Sequence, residues 1–129
     1  MVESYRDLMV WQRAMDLAVD VYAVTSKLPA DERFGLSSQL RRAAVSIPSV
    51  LAEGHARSST REFMRYVAMA MGSLAEVETQ LTLAHRLHML GAATVERLLQ
   101  SCSEEGRMLR SLRRALEERG ARNVPHLSP

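Results

Sequence analysis

Cysteine, lysine, aromatic residues, glycine and proline are all scarce in this chain of 129 residues, and each scarcity narrows what it can be. A single cysteine, Cys102, rules out an intramolecular disulfide, and with it the cross-linked frameworks of small secreted domains. Six glycines and four prolines are too few to punctuate many short strands. Aromatics, at 5%, do not supply the side chains of a β-sandwich. No run of about 18 apolar residues occurs, which excludes an ordinary transmembrane helix. The opening MVESYRDLMVW lacks a basic start followed by an apolar stretch, so no signal peptide is expected. A cytoplasmic protein with no membrane partner is the expectation.

What is present points to helices. Hydrophobic residues make up 47% of the chain and charged residues 25%, with frequent Ala and Leu and 8 Met. A chain of this length buries roughly two thirds of its unfolded surface, enough for one domain. Four periodic segments are predicted: Tyr5–Lys27, Glu32–Gly54, Thr60–Leu90 and Ala93–Arg119. Residues 1–119 then form a single all-α domain, an up-down-up-down antiparallel four-helix bundle, and residues 120–129 a flexible tail. Leu36, Leu40, Ala43, Ile47 and Leu51 form the inner stripe of the second segment. Phe63, Val67, Ala70, Leu74, Val77, Leu81 and Ala84 form that of the third. Val95, Leu98, Leu99, Cys102, Leu109, Leu112 and Leu116 form that of the fourth. Pro48 predicts a kink, with Ser46 and Ser49 satisfying freed backbone groups. Ser59 and Glu62 read as a capping box, Gly91 and Gly120 as stops, and Ala68, Gly72 and Ala75 as positions where a helix can approach closely.

The first segment carries two apolar stripes. Leu8, Trp11, Met15, Val19 and Tyr22 lie on one face. Val10, Ala14, Leu17, Val21, Val24 and Leu28 recur at spacings of 4, 3, 4, 3 and 4 on the opposite one. A surface helix of a monomer needs one apolar face. The second stripe has the spacing of a helix–helix seam, so it is assigned to an interface with another copy of the chain.

Catalytic chemistry finds no foothold. His85 and His88 lack the third and fourth ligands a metal site requires, and no Glu stands three residues before any His as in di-iron bundles. Cys102 falls in an apolar stripe, and neither a nucleophile elbow nor a phosphate-cradling glycine loop is present. Glu53 reads as an ion-pair partner of the nearby arginines. No enzyme activity, metal or cofactor is expected.

Arginine remains. Lys27 is the lone lysine, and between Gly106 and Pro129 six arginines face two glutamates, leaving that segment at +4 and the rest of the chain at −2. Arg41 and Arg42, then Arg57, Arg61 and Arg65, then Arg107, Arg110 and Arg114 form three clusters. Guanidinium forks bind phosphates, so these eight are the candidate nucleic-acid contacts. The alternative is a structural or protein-interaction module with solvated arginine faces.

The runs YRDLMVWQRAMDLAVDVYAVTSKLP and ERFGLSSQLRRAAVSIPSVLAEGHARSSTREFMRYVAMAMGSLAEVETQL resemble the bacterial four-helix-bundle family encoded by intervening sequences of 23S ribosomal RNA genes. The likeness covers about residues 5–90, and QLRRAAVSIPSVLAEG is its most specific part. Val50-Leu51 stands where the family often has Asn-Ile, and His55-Ala56-Arg57 where it has an aromatic followed by Gly-Arg. The resemblance implies a homopentameric ring. Through relatives that serve diversity-generating retroelements, it also implies RNA or DNA and a reverse transcriptase as partners.

Overall fold

A computed structural model of the chain describes residues 4–32 and 34–123. Four helices carry most of it: α1 (Met9–Thr25), α2 (Leu36–His55), α3 (Thr60–Arg86) and α4 (Ala92–Asn123), with 3-10 turns at Tyr5–Asp7 and Ala30–Glu32. No strand occurs among the described residues, and the protein is all-α.

The helix ends shift from their predicted places for local reasons. The Ser4 hydroxyl accepts from the Arg6 amide and closes a separate turn, after which extended Leu8 delays α1 to Met9. Non-helical Gly35 delays α2, and the Glu32 carboxylate caps it from outside by accepting from the Leu36 amide at 3.0 Å. α3 stops before Gly91 because His88 takes the left-handed position, φ 60°. The Met89 amide then donates to the Ala84 carbonyl and the His88 amide to that of His85, a Schellman closure with His in the usual glycine place. α4 runs past Gly120 to Asn123, so the tail does not begin at residue 120; residues 124–129 lie outside the described residues. α2 continues through buried Pro48 to His55. Ser46 directs its hydroxyl to Ser73 on α3, 2.9 Å away, and not to its own helix.

The inner stripes of α2 and α3 are buried as predicted, and that of α4 is buried except for Leu99 and Leu112, which are half-buried against the core. α1 requires a correction. Val10, Ala14, Leu17, Val21, Val24 and Leu28 are only 0–7% exposed and belong to the chain's own core, so they cannot be the oligomer interface. Seam spacing is the same whether the partner helix comes from the same chain or another. Here the partners are α2 and α4. The outward stripe is Met15, Val19 and Tyr22, at 40, 66 and 46% exposure.

Side-chain pairs fix how the helices lie. Arg13–Glu104 at 3.2 Å and Asp20–Arg97 at 3.8 Å tie α1 to α4. The Arg41 Nε donates to Thr25 Oγ1 at 2.8 Å, tying α2 to the end of α1. Arg113 Nη1 meets the Met71 sulfur at 3.7 Å between α4 and α3. Among the glycines the tightest approach is at Gly54, where an added Cβ would stand 2.5 Å from Tyr66 Cβ. Gly72, by contrast, has nothing within 4 Å of an added Cβ, and Ala68 and Ala75 are exposed. These small residues of α3 admit no neighbour within the chain.

Candidate nucleic-acid interface

This packing gathers residues 4–15, 46–72 and 104–123 in one half of the molecule. They hold eleven arginines against seven carboxylates, a net +4, while the rest of the sequence holds six basic residues against eight acidic ones. Burial disfavours the charge on one of the seven carboxylates. Glu105 is 1% exposed, neither oxygen has a hydrogen-bond partner among the described residues, and burial pushes its pKa up to about 8 against a smaller opposing pull from Arg13.

Of the candidate arginines, Arg61, Arg65, Arg107, Arg110 and Arg114 are exposed on this half. Arg57 joins them, although Glu53 and Tyr66 hold it in place. Arg41 and Arg42 do not. They lie toward the opposite end, near the end of α1. Arg41 is half-buried, bonded to Thr25 and stacked 4.5 Å over the Tyr22 ring. Arg42 is exposed but separated from the other clusters. The three expected clusters are therefore two that converge and one that stands apart.

The α2–α3 corner anchors the basic half. Arg57 Nη2 donates to Glu53 Oε2 at 3.1 Å and to the Tyr66 hydroxyl at 2.7 Å, with its guanidinium 5.1 Å from the ring centroid. The Tyr66 hydroxyl, and then Arg57, stabilise the Glu53 carboxylate and hold its pKa below the ordinary value. Ser59 caps α3 by accepting from the Glu62 amide at 3.0 Å; the return bond from the Glu62 side chain is not among the hydrogen bonds of the described residues. Beside this corner lies a cavity of about 720 Å³. His55 and Arg57 border it from the end of α2, Ser58, Ser59 and Thr60 from the corner, and Arg119 from α4, over Leu8, Phe63 and Leu112.

A second surface lies on the α1–α2 side. Tyr5, Trp11, Met15, Val19 and Tyr22 face Val45, Pro48 and Ala52 across an open groove of about 500 Å³. Trp11 is held edge-on to Tyr5, with ring centroids 5.2 Å apart.

Two interior groups bear on chemistry. Cys102 is fully buried, and desolvation, helped by Glu78 and Glu105, pushes its thiol up to about 12. No cluster of three or more potential metal ligands occurs among the described residues. Composition alone groups Glu105 with the solvent-facing glutamates, yet it occupies the step between Cys102 and Leu109 in the 4-3-4-3 stripe of α4. That spacing is the signal for its burial. Arg119 and His55 carry no such signal, because only the fold places them beside the corner.

An all-α protein of four helices, with an arginine-rich half and no helix long and apolar enough to cross a membrane among the described residues, is the class these features define. The chain belongs to the 23S rRNA-intervening sequence protein family, which it matches over residues 6–111. It is similar to the crystal structure of a protein of unknown function from the S23 ribosomal protein family of Bacteroides thetaiotaomicron VPI-5482. That likeness has a TM-score of 0.75 and 22% identity, and covers 81% of this chain and 97% of the other. At that identity it is a likeness of fold. No protein of curated function matches the chain.

Proposed function

We propose that the protein is a non-enzymatic, up-down-up-down helical bundle that self-associates and binds RNA or DNA through the phosphates that face its arginine-rich half. The observation that carries the reading is the segregation of charge. Eleven of the chain's arginines sit in one half, and Arg61, Arg107, Arg110 and Arg114 are exposed there with no ion pair among the described residues. Phosphate contacts of this kind give affinity that depends on salt and little on base sequence. A +4 half is modest for one chain, and repetition in a homo-oligomer, a pentamer by the family resemblance, multiplies it.

The α1–α2 groove is the surface we assign to the second copy. Its exposed Met15, Val19 and Tyr22 form the apolar face that α1 leaves uncovered. A reverse transcriptase, the protein partner implied by retroelement relatives, would meet the assembled form. Cys102, buried and with its thiol pushed up, is given no nucleophilic role in this reading.

The test is fluorescence anisotropy with labelled single-stranded RNA and duplex DNA at two salt concentrations. Binding is expected to weaken steeply with salt. Reversal of Arg107, Arg110 and Arg114 to Glu should flatten the log–log slope by about one for each phosphate that is no longer neutralised, while Arg42→Glu changes little. Binding indifferent to salt and to the triple reversal would overturn the reading and favour a protein-interaction module.

A further inference from the structure

We propose that the cavity beside the α2–α3 corner binds one phosphate-bearing nucleotide unit, with the phosphate at Arg57 and Arg119 and the base toward the apolar floor. The proposal rests on the nucleic-acid reading only for the source of that unit, an unpaired strand.

Its electrostatics set this cavity apart. Three other hollows are lined by arginine, and each also contains a carboxylate: Glu78 beside Arg86, Glu104 beside Arg13 and Arg107, and Glu78 again beside Arg110. The corner cavity is lined by two arginines, a histidine and three hydroxyl residues, with no acidic side chain. Glu53 draws on Arg57 Nη2 alone, which leaves the Nε and Nη1 hydrogens of that guanidinium without acceptors among the described residues. Arg119 is exposed and has no ion pair among the described residues. Ser59 Oγ accepts from the Glu62 amide, so its own proton is available to donate. An anion entering here meets donors, and the carboxylate that competes for Arg57, Glu53, is not part of the lining.

Size and lining argue for more than an inorganic anion. About 720 Å³ falls within the range of small-ligand sites and far exceeds one phosphate. Leu8, Phe63 and Leu112 supply an apolar floor, and half-buried His55, edge-on to Phe63 at 5.7 Å between centroids, supplies an aromatic surface for a base. A base paired and stacked within a duplex cannot enter such a cavity, so the unit must be unpaired or terminal.

The experiment is an NMR titration of the ¹⁵N-labelled full chain with uridine 5′-monophosphate, with uridine as control, paired with anisotropy on a single-stranded RNA decamer. Ser58→Glu and Arg119→Glu alter exposed positions of the cavity, and unchanged helical circular dichroism checks that both variants fold. The monophosphate, but not uridine, is expected to shift the amides of His55, Ser58 and Thr60, and each variant should weaken this about tenfold. Decamer binding weakened by the same variants identifies a nucleic-acid strand as the source; monophosphate binding with an unaffected decamer overturns that source in favour of a free nucleotide. Shifts confined to Arg107, Arg110 and Arg114, with decamer binding intact in both variants, overturn the cavity and leave the arginine-face reading standing. A wild type that binds no decamer at low salt yet shows the monophosphate shifts overturns the nucleic-acid reading and upholds the cavity as a nucleotide site.

Discussion

On α1, Val10, Ala14, Leu17, Val21 and Val24 are closed off by the neighbouring helices, whereas Met9, Met15, Val19 and Tyr22 keep 40–66% of their surface exposed. Both sets are apolar and both recur at helical spacing, so hydrophobicity alone does not separate them. Size and shape do. The inward set is small or β-branched apart from Leu17, which lets α2 and α4 approach closely and packs with few rotamers to lose. The outward set holds two methionines and a tyrosine, the composition of surfaces that adapt to a partner. The same division between inside and outside recurs at two glutamates and two glycines, and each pair can be tested by matched substitutions.

The largest contrast is expected between Leu17→Glu and Val19→Glu. A carboxylate at 2%-exposed Leu17 has no partner, and the variant should lose about 4 kcal/mol or more, enough to unfold a domain of ordinary stability. Val19→Glu lies at 66% exposure and should change the chemical-denaturation stability of the single chain by less than about 0.5 kcal/mol beyond what lost self-association removes. Equal losses would erase the distinction between the two stripes.

Glu105 and Glu104 are the next pair. Glu105→Leu removes an unpartnered carboxyl from the core and should stabilise the fold by about 1–3 kcal/mol at pH 7. Glu104→Ala removes only the exposed pair with Arg13, worth less than about 1 kcal/mol. The sign of the pH effect follows from the Glu105 pKa, raised from 4.5 to about 8 on folding. Between those values the folded state holds the proton that the unfolded state releases. The wild type should therefore lose stability as pH rises from 4.5 to about 8, by up to about 1.4 kcal/mol per pH unit, and no further above it. Denaturation midpoints compared with Glu105→Gln across about pH 5–9 isolate this slope. A slope unchanged in Glu105→Gln would mean that the carboxyl is not buried.

The third contrast is between the glycines. Gly54→Ala forces Tyr66 away and should cost about 1–3 kcal/mol, whereas Gly72→Ala meets nothing and should gain about 0.5–1 kcal/mol from helix propensity. Thermal unfolding of the two variants reads both signs.

Much of this is legible in the residues. The inner stripes of α2, α3 and α4, the Ser59 cap and the Glu53–Arg57 pair follow from spacing and local chemistry, because each depends on residues within a few turns of one another. Periodicity inverts the assignment of the α1 stripes, since it gives the angle between two faces and not which one the rest of the chain covers. Arg41 reads as a free cation because its partners, Thr25 and Tyr22, sit on another helix. The corner cavity is invisible for the same reason: Arg57 and Arg119 are 62 positions apart, and only the packing of α4 beside the corner brings them to one rim.

The central claim is that the outward face of α1, and not its seam-spaced stripe, carries self-association, and light scattering of the wild type beside a Met15→Glu, Val19→Glu double variant tests it most directly. The account predicts an oligomer at micromolar concentration for the wild type and a single chain of unchanged helicity for the variant. A monomeric wild type, or a variant that keeps the wild-type mass, would contradict it.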